Sequence, residues 1–211
     1  MKVEAVQATT ADGITLRGEI LRGGDVWAVL VHDAGEDIDA WRPLRPGLAE
    51  RGWAVLAFDL RGHGGSAGEW PSPRAELDVD LGVTLARRRG ARHVAIVAAG
   101  YGAVLALRAA DRSQEHESFA RADSLVLLSP GPLNGADPMS LRGAGLPKLF
   151  FVGAQDPLAP DASALARASI GWTVEVSFPS AARGTGLLAQ WSMLVLDKLG
   201  TFLTEQSTTP R

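Results

Sequence analysis

The sequence predicts an α/β protein: one eight-stranded, mostly parallel sheet with helices on both faces. From residue 26 onward, short near-continuous apolar runs alternate with amphipathic stretches, as strands buried on both faces alternate with their crossover helices. Before that alternation lies a hairpin pattern, which adds an antiparallel start to the sheet. Neither internal repeats nor a long linker divides the 211 residues, so residues 1–204 read as one domain followed by a polar tail, 205–211.

Taken in order, Val3 to Thr9 alternates apolar and polar, Asp12-Gly13 marks a turn, and Ile14 to Leu21 alternates again. Val26 to Val31 (VWAVLV) is a buried strand. The loop His32-Asp33-Ala34-Gly35-Glu36-Asp37 leads to a helix expected from about Asp39 to Arg51, with Trp41, Leu44 and Leu48 on one face. Gly52 ends it, and Trp53 to Leu60 is the next buried strand. Arg61 to Pro73 is a Gly/Pro-rich loop. A helix is expected from about Arg74 to Arg89, where Leu77, Leu81 and Leu85 repeat and Arg87-Arg88-Arg89 complements the C-terminal dipole.

Val94 to Ala99 is the central strand, followed by a sharp turn and a helix from Tyr101 to about Arg112. Ser124 to Ser129 is a further strand, and the proline-rich stretch Pro130 to Pro147 has room for at most one short helix. KLFFVGA from Lys148, a helix at Asp161 to Ile170, WTVEVSF from Trp172 and a last amphipathic helix at Leu187 to Leu203 complete the pattern. In all, eight strands and about six helices are expected.

Composition narrows the function. Net charge is −3, so there is no basic field for nucleic acid or an anionic membrane. Cysteine is absent, which removes disulfides, thiolate metal sites and a thiol nucleophile. No apolar run approaches the roughly 18 residues of a membrane span, and the N-terminus lacks an apolar leader core. A cytoplasmic location is the expectation, with neither a metal nor another cofactor called for.

Five segments carry a family resemblance. AVLVHDAGED resembles a strand and loop of the form LVHGxG. RGWAVLAFDLRGHGGS (Arg51 to Ser66) is close to GYxVLxxDxRGHGxS. HVAIVAAGYGAVLAL occupies the place of an elbow usually written G-x-S-x-G, KLFFVGAQDPLAP resembles vLxxxGxxDpxvp, and SAARGTGLL resembles a closing HGtxLL. Together, in this order, they resemble the α/β-hydrolases, and among them the small bacterial dienelactone-hydrolase and acyl-esterase kind with minimal or no cap. The resemblance implies strand order 1-2-4-3-5-6-7-8 with only the second strand antiparallel. It also places the triad nucleophile at Gly100, the acid at Asp156 and the base at Arg183.

Two of those three positions hold residues that cannot do the chemistry. Glycine has no nucleophile, and between Arg87 and Arg112 there is no Ser, Cys, Thr, Asp or Glu other than Asp111, three turns into the helix. A guanidinium stays protonated and cannot act as a general base. None of the four histidines follows the last strand, and each has a structural or loop-ordering reading.

What remains is a crevice with a helix N-terminus, Gly100 leaving open space, and backbone donors. His32, Asp33, Ala34, Tyr101, Ser129 and Arg183 are its candidate ligand-binding residues, with Trp70 and Leu133 as wall. Arg183 is expected to pair with Asp156; the alternative aims it at a carboxylate, phosphate or sulfate, which the nearby negative Asp33 disfavours. The expected protein is a hydrolase-fold binder of a small molecule or anion, inactive as a serine hydrolase, and a monomer or homodimer. The alternatives are an active hydrolase using His32, Asp33, Asp59 or Tyr101, and a purely structural or regulatory protein.

Overall fold

The computed structural model describes residues 3–208. Its eight strands are β1 (Val3–Thr9), β2 (Thr15–Leu21), β3 (Val26–Val31), β4 (Ala54–Phe58), β5 (His93–Ala99), β6 (Ser124–Leu128), β7 (Lys148–Gly153) and β8 (Thr173–Phe178). They form one sheet in the order β1-β2-β4-β3-β5-β6-β7-β8. β2 runs antiparallel to both its neighbours and every other pairing is parallel. This is the α/β-hydrolase arrangement that the motif order implied, without a large cap.

Side chains alternate across the sheet and build a core on each face. Val29, Ile96, Leu125 and Phe150 pack on one side with residues of α2 (Glu76–Arg88), α3 (Gly100–Glu115) and α4 (Ala159–Ala168). Leu30, Val97, Val126 and Leu149 pack on the other with α1 (Arg45–Glu50) and α5 (Leu188–Thr208). Trp41 is fully buried in this second core.

Three boundaries differ from expectation. The helix expected over 39–51 is a 3-10 turn, Ile38–Trp41, followed separately by α1. Pro43 lies between them, and a proline inside a helix removes a hydrogen bond and clashes with the preceding turn. The stretch 130–147 holds two 3-10 turns, Pro138–Ser140 and Gly143–Gly145, so five α-helices rather than six are present among the described residues. The last helix continues to Thr208, into the segment expected as a polar tail; residues 209–211 lie outside the described residues.

The fold positions the site through β5. Its neighbours β3 and β6 run parallel to it, with Val31 opposite Ala98 and Leu128 opposite Ala99. The loops that leave β3, β5 and β6, and β7 and β8 beyond them, therefore gather at the C-terminal edge of the sheet. Ligands in open α/β sheets bind at this edge.

Candidate functional site

β5 ends at Ala99 in extended backbone, and the chain turns into α3 at Gly100 with φ +54°. Gly102 lets the helix pass close to β3: a Cβ there would overlap the His32 carbonyl. The first turn of α3 thus presents the Tyr101 N–H beside the loop that follows β3.

Gly100 was expected to leave open space. Instead, the Asp33 side chain fills it: a Cβ placed on Gly100 would overlap Asp33 Cγ and both carboxylate oxygens. Asp33 Oδ1 accepts from the N–H of Tyr101 (2.7 Å) and from that of Ala34 (2.8 Å), while Oδ2 lies 3.1 Å from Arg183 Nη2. Two backbone donors from different elements and one guanidinium therefore converge on a single carboxylate. Burial pushes the Asp33 pKa up; the Tyr101 amide and the Arg183 charge pull it back.

The Asp33 loop is held from both sides. The Asp33 N–H donates to Glu36 Oε2 (3.0 Å), and Glu36 Oε1 accepts the Thr185 hydroxyl, which ties the loop after β3 to the loop after β8. His32 lies beneath. Its Nε2 accepts the Leu60 N–H (2.9 Å), so its proton is on Nδ1, donated to the Asp33 carbonyl (2.7 Å). Burial lowers the His32 pKa and keeps the ring neutral.

Arg183 does not pair with Asp156 as expected. Its Nη2 donates to the Gly131 carbonyl and forms an ion pair with Asp33. Asp156 Oδ1 accepts the Leu158 N–H (2.9 Å), whereas its buried Oδ2 has no hydrogen-bond partner among the described residues. The guanidinium goes to Asp33 because that carboxylate and the Gly131 carbonyl offer two acceptors beside the N-terminus of α3. The buried Arg183 Nε and Ser129 Oγ likewise have no hydrogen-bond partner among the described residues.

A cavity of about 210 Å3 opens above this pair, lined by Asp33, Ala34, Trp70, Pro71, Tyr101, Pro132, Asn134 and Arg183. Four of the six candidate ligand-binding residues line it: Asp33, Ala34, Tyr101 and Arg183. The other two do not. His32 is fully buried with both ring nitrogens engaged, and Ser129 is buried at the end of β6 with φ +43°. Leu133 is turned into the core, and its neighbours Pro132 and Asn134 take the wall instead.

Trp70, expected as wall, packs edge-on against Tyr101 (5.6 Å between ring centres) and His63 (4.9 Å). His63 is occupied in the loop, accepting the Gly35 N–H at Nε2 (3.0 Å). Asp59 is likewise engaged, accepting from the N–H groups of Ile38 and Gly65. Pro71, Pro132 and Asn134 had no signal in the sequence beyond lying in proline-rich loops. Among the described residues, no group of three or more His, Asp or Glu is placed to hold a metal ion, and no helix is long and apolar enough to cross a membrane.

Solved structures with this fold include an esterase from Pyrococcus furiosus, 18% identical with a TM-score of 0.83, covering 97% of this chain and 92% of that one. Est1E from Butyrivibrio proteoclasticus, solved with ferulic acid bound, is 17% identical (TM-score 0.76; 94% and 98% covered). The enol-lactonase of Burkholderia xenovorans is 18% identical (TM-score 0.73; 94% and 100% covered). A search of curated protein sequences finds no match. A family model described as the alpha/beta hydrolase family matches residues 28–204. With the sheet order and the elbow geometry of that fold in place over the same residues, the chain belongs to the alpha/beta hydrolase family.

Proposed function

We propose that this chain is a small-molecule-binding member of the family that does not hydrolyse esters through a serine triad. One observation carries the reading: the volume above the elbow, where a nucleophile would stand, holds the Asp33 carboxylate, bonded to the Ala34 and Tyr101 amides and paired with Arg183. Acyl transfer needs a nucleophile, a base that accepts its proton, and free donors for the developing oxyanion. Gly100 offers no nucleophile, Arg183 no base, and the two amides are already engaged.

The cavity nonetheless stays open. Trp70, Tyr101, Pro71 and Pro132 suit the flat apolar body of a ligand, and Asn134 and the Asp33–Arg183 pair at its floor suit a neutral polar end. No other cofactor is called for, and the partner is a small molecule rather than nucleic acid or membrane. A cytoplasmic monomer or homodimer fits this reading.

The test combines a generic ester panel, a fluorophosphonate probe and a small-molecule melting screen on the purified protein. No labelling and no turnover are expected, together with ligand-dependent stabilisation that Arg183→Ala weakens. Fluorophosphonate labelling would overturn the reading. One observation favours a second reading: Asp33 borders the cavity, so an active hydrolase would have to work through this carboxylate. Turnover that persists through purification and disappears in Asp33→Asn would establish that alternative.

A further inference from the structure

We infer that Asp33 is a tethered anion that sets the selectivity of the crevice: with this side chain in place, free carboxylates and other small oxyanions are refused. The inference rests on reading the crevice as a binding site. Two backbone donors and one cation from three parts of the chain converge on the Asp33 carboxylate: the Ala34 N–H in its own loop, the Tyr101 N–H at the start of α3, and the Arg183 guanidinium after β8. Such a set would bind a mobile carboxylate, and charge-assisted bonds of this kind are roughly twice as strong as neutral ones. Here the carboxylate arrives on the chain itself, so its binding is intramolecular and a free anion has to compete with it.

The space confirms the exclusion. Asp33 fills the volume above Gly100, where an added Cβ would overlap its carboxylate, so a free carboxylate cannot take its place on the Ala34 and Tyr101 amides. Charge acts in the same direction. Arg183 is balanced by Asp33, and the Glu36 carboxylate holds the same loop, so an incoming anion meets no uncompensated positive group. Removing the Asp33 side chain would leave the two amides and Arg183 facing a cavity of carboxylate size.

Formate is the probe. Wild type, Asp33→Gly and Asp33→Asn are melted in sodium formate and in sodium chloride at equal ionic strength. Asp33→Gly should show a saturable rise in melting temperature specific to formate, about 3 °C at tenfold saturation. Wild type should not respond. Asp33→Asn makes the same change in net charge but still fills the space, and it should not respond either. Adding Arg183→Gln to Asp33→Gly should abolish the rise.

Equal responses in wild type and Asp33→Gly, or a response in Asp33→Asn as large as in Asp33→Gly, would overturn the inference. If Asp33→Gly does not fold in chloride, refolding is repeated in formate. Recovery of folded protein only in formate supports the inference, and failure in both salts, with Asp33→Ala failing likewise, counts against it. Ester turnover by the wild type would sink the proposed function and leave a formate response standing; a missing formate response sinks only the tethered-anion inference.

Discussion

Gly100 and Asp33 are two halves of one arrangement. Where the family's elbow motif has serine, this chain has glycine; where the family's loop motif has a glycine after the histidine, it has Asp33. One position lost a side chain and the other gained one, and the two fill the same space. Both departures stand in the sequence, yet their coupling was hidden because they lie on different strand ends. The coupling is measurable. Gly100→Ala must add a Cβ where the carboxylate sits, on backbone at φ +54°, and should cost more than about 2 kcal/mol of stability, since positive-φ strain alone is roughly 1–2 kcal/mol. In an Asp33→Gly background the cost should fall to about the strain, and a double-mutant cycle by urea denaturation reads the difference. Additive costs would show that the two positions do not compete for space. Restoring Gly100→Ser with Arg183→His alone is therefore not expected to rebuild an enzyme, because Asp33 would still hold the place of the hydroxyl.

At the scale of elements, the loop after β4 is fixed to its surroundings by Arg61. This buried guanidinium pairs with Asp78 at the start of α2 (2.7 Å) and with Asp12 in the β1–β2 turn (2.9 Å), so one residue clamps hairpin, loop and helix. The hydrogen bond from Arg61 holds the Asp12 pKa down, from 3.8 to about 2. A depressed carboxylate stabilises the fold above its unfolded pKa, and this stabilisation is lost as pH falls from about 4 to about 2. A shift of this size corresponds to about 2 kcal/mol at neutral pH. Asp12→Asn should lower stability by about that amount at pH 7 and flatten the acid limb between pH 4 and 2, as urea unfolding across that range would reveal; an unchanged acid limb would remove Asp12 from the clamp. Asp78 is displaced in the opposite sense, raised chiefly by burial, and adds nothing to that limb. The element boundaries missed from the sequence have equally local causes. Helical spacing of Trp41, Leu44 and Leu48 survives in the packing although Pro43 breaks the helix, because a 3-10 turn followed by α1 buries the same side chains.

For the whole molecule, both cores share one sheet, and neither face can lose its helices without exposing strands buried on the other side. Unfolding should accordingly be a single cooperative transition. Far-ultraviolet circular dichroism and tryptophan fluorescence should give coincident midpoints in denaturant, with Trp41 and Trp27 in different cores reporting the same event. Separate midpoints would mean that the cores come apart independently. The sequence by itself determined the strand order, the antiparallel second strand, the elbow between β5 and α3, and the residue types at the triad positions. The elbow and the residue types follow from local periodicity and from motifs a few residues long, where each side chain's neighbours are its neighbours in the chain; the strand order and the antiparallel second strand are what the family resemblance carried by those motifs implies. Only the tertiary structure decided that Arg183 turns from Asp156 to Asp33, that His32 and Ser129 lie beneath the crevice rather than in it, and that the elbow is occupied. Those outcomes depend on how the ends of β3, β5, β6 and β8 converge, and on which of several nearby acceptors a long side chain can reach. Spacing along the chain does not encode that competition.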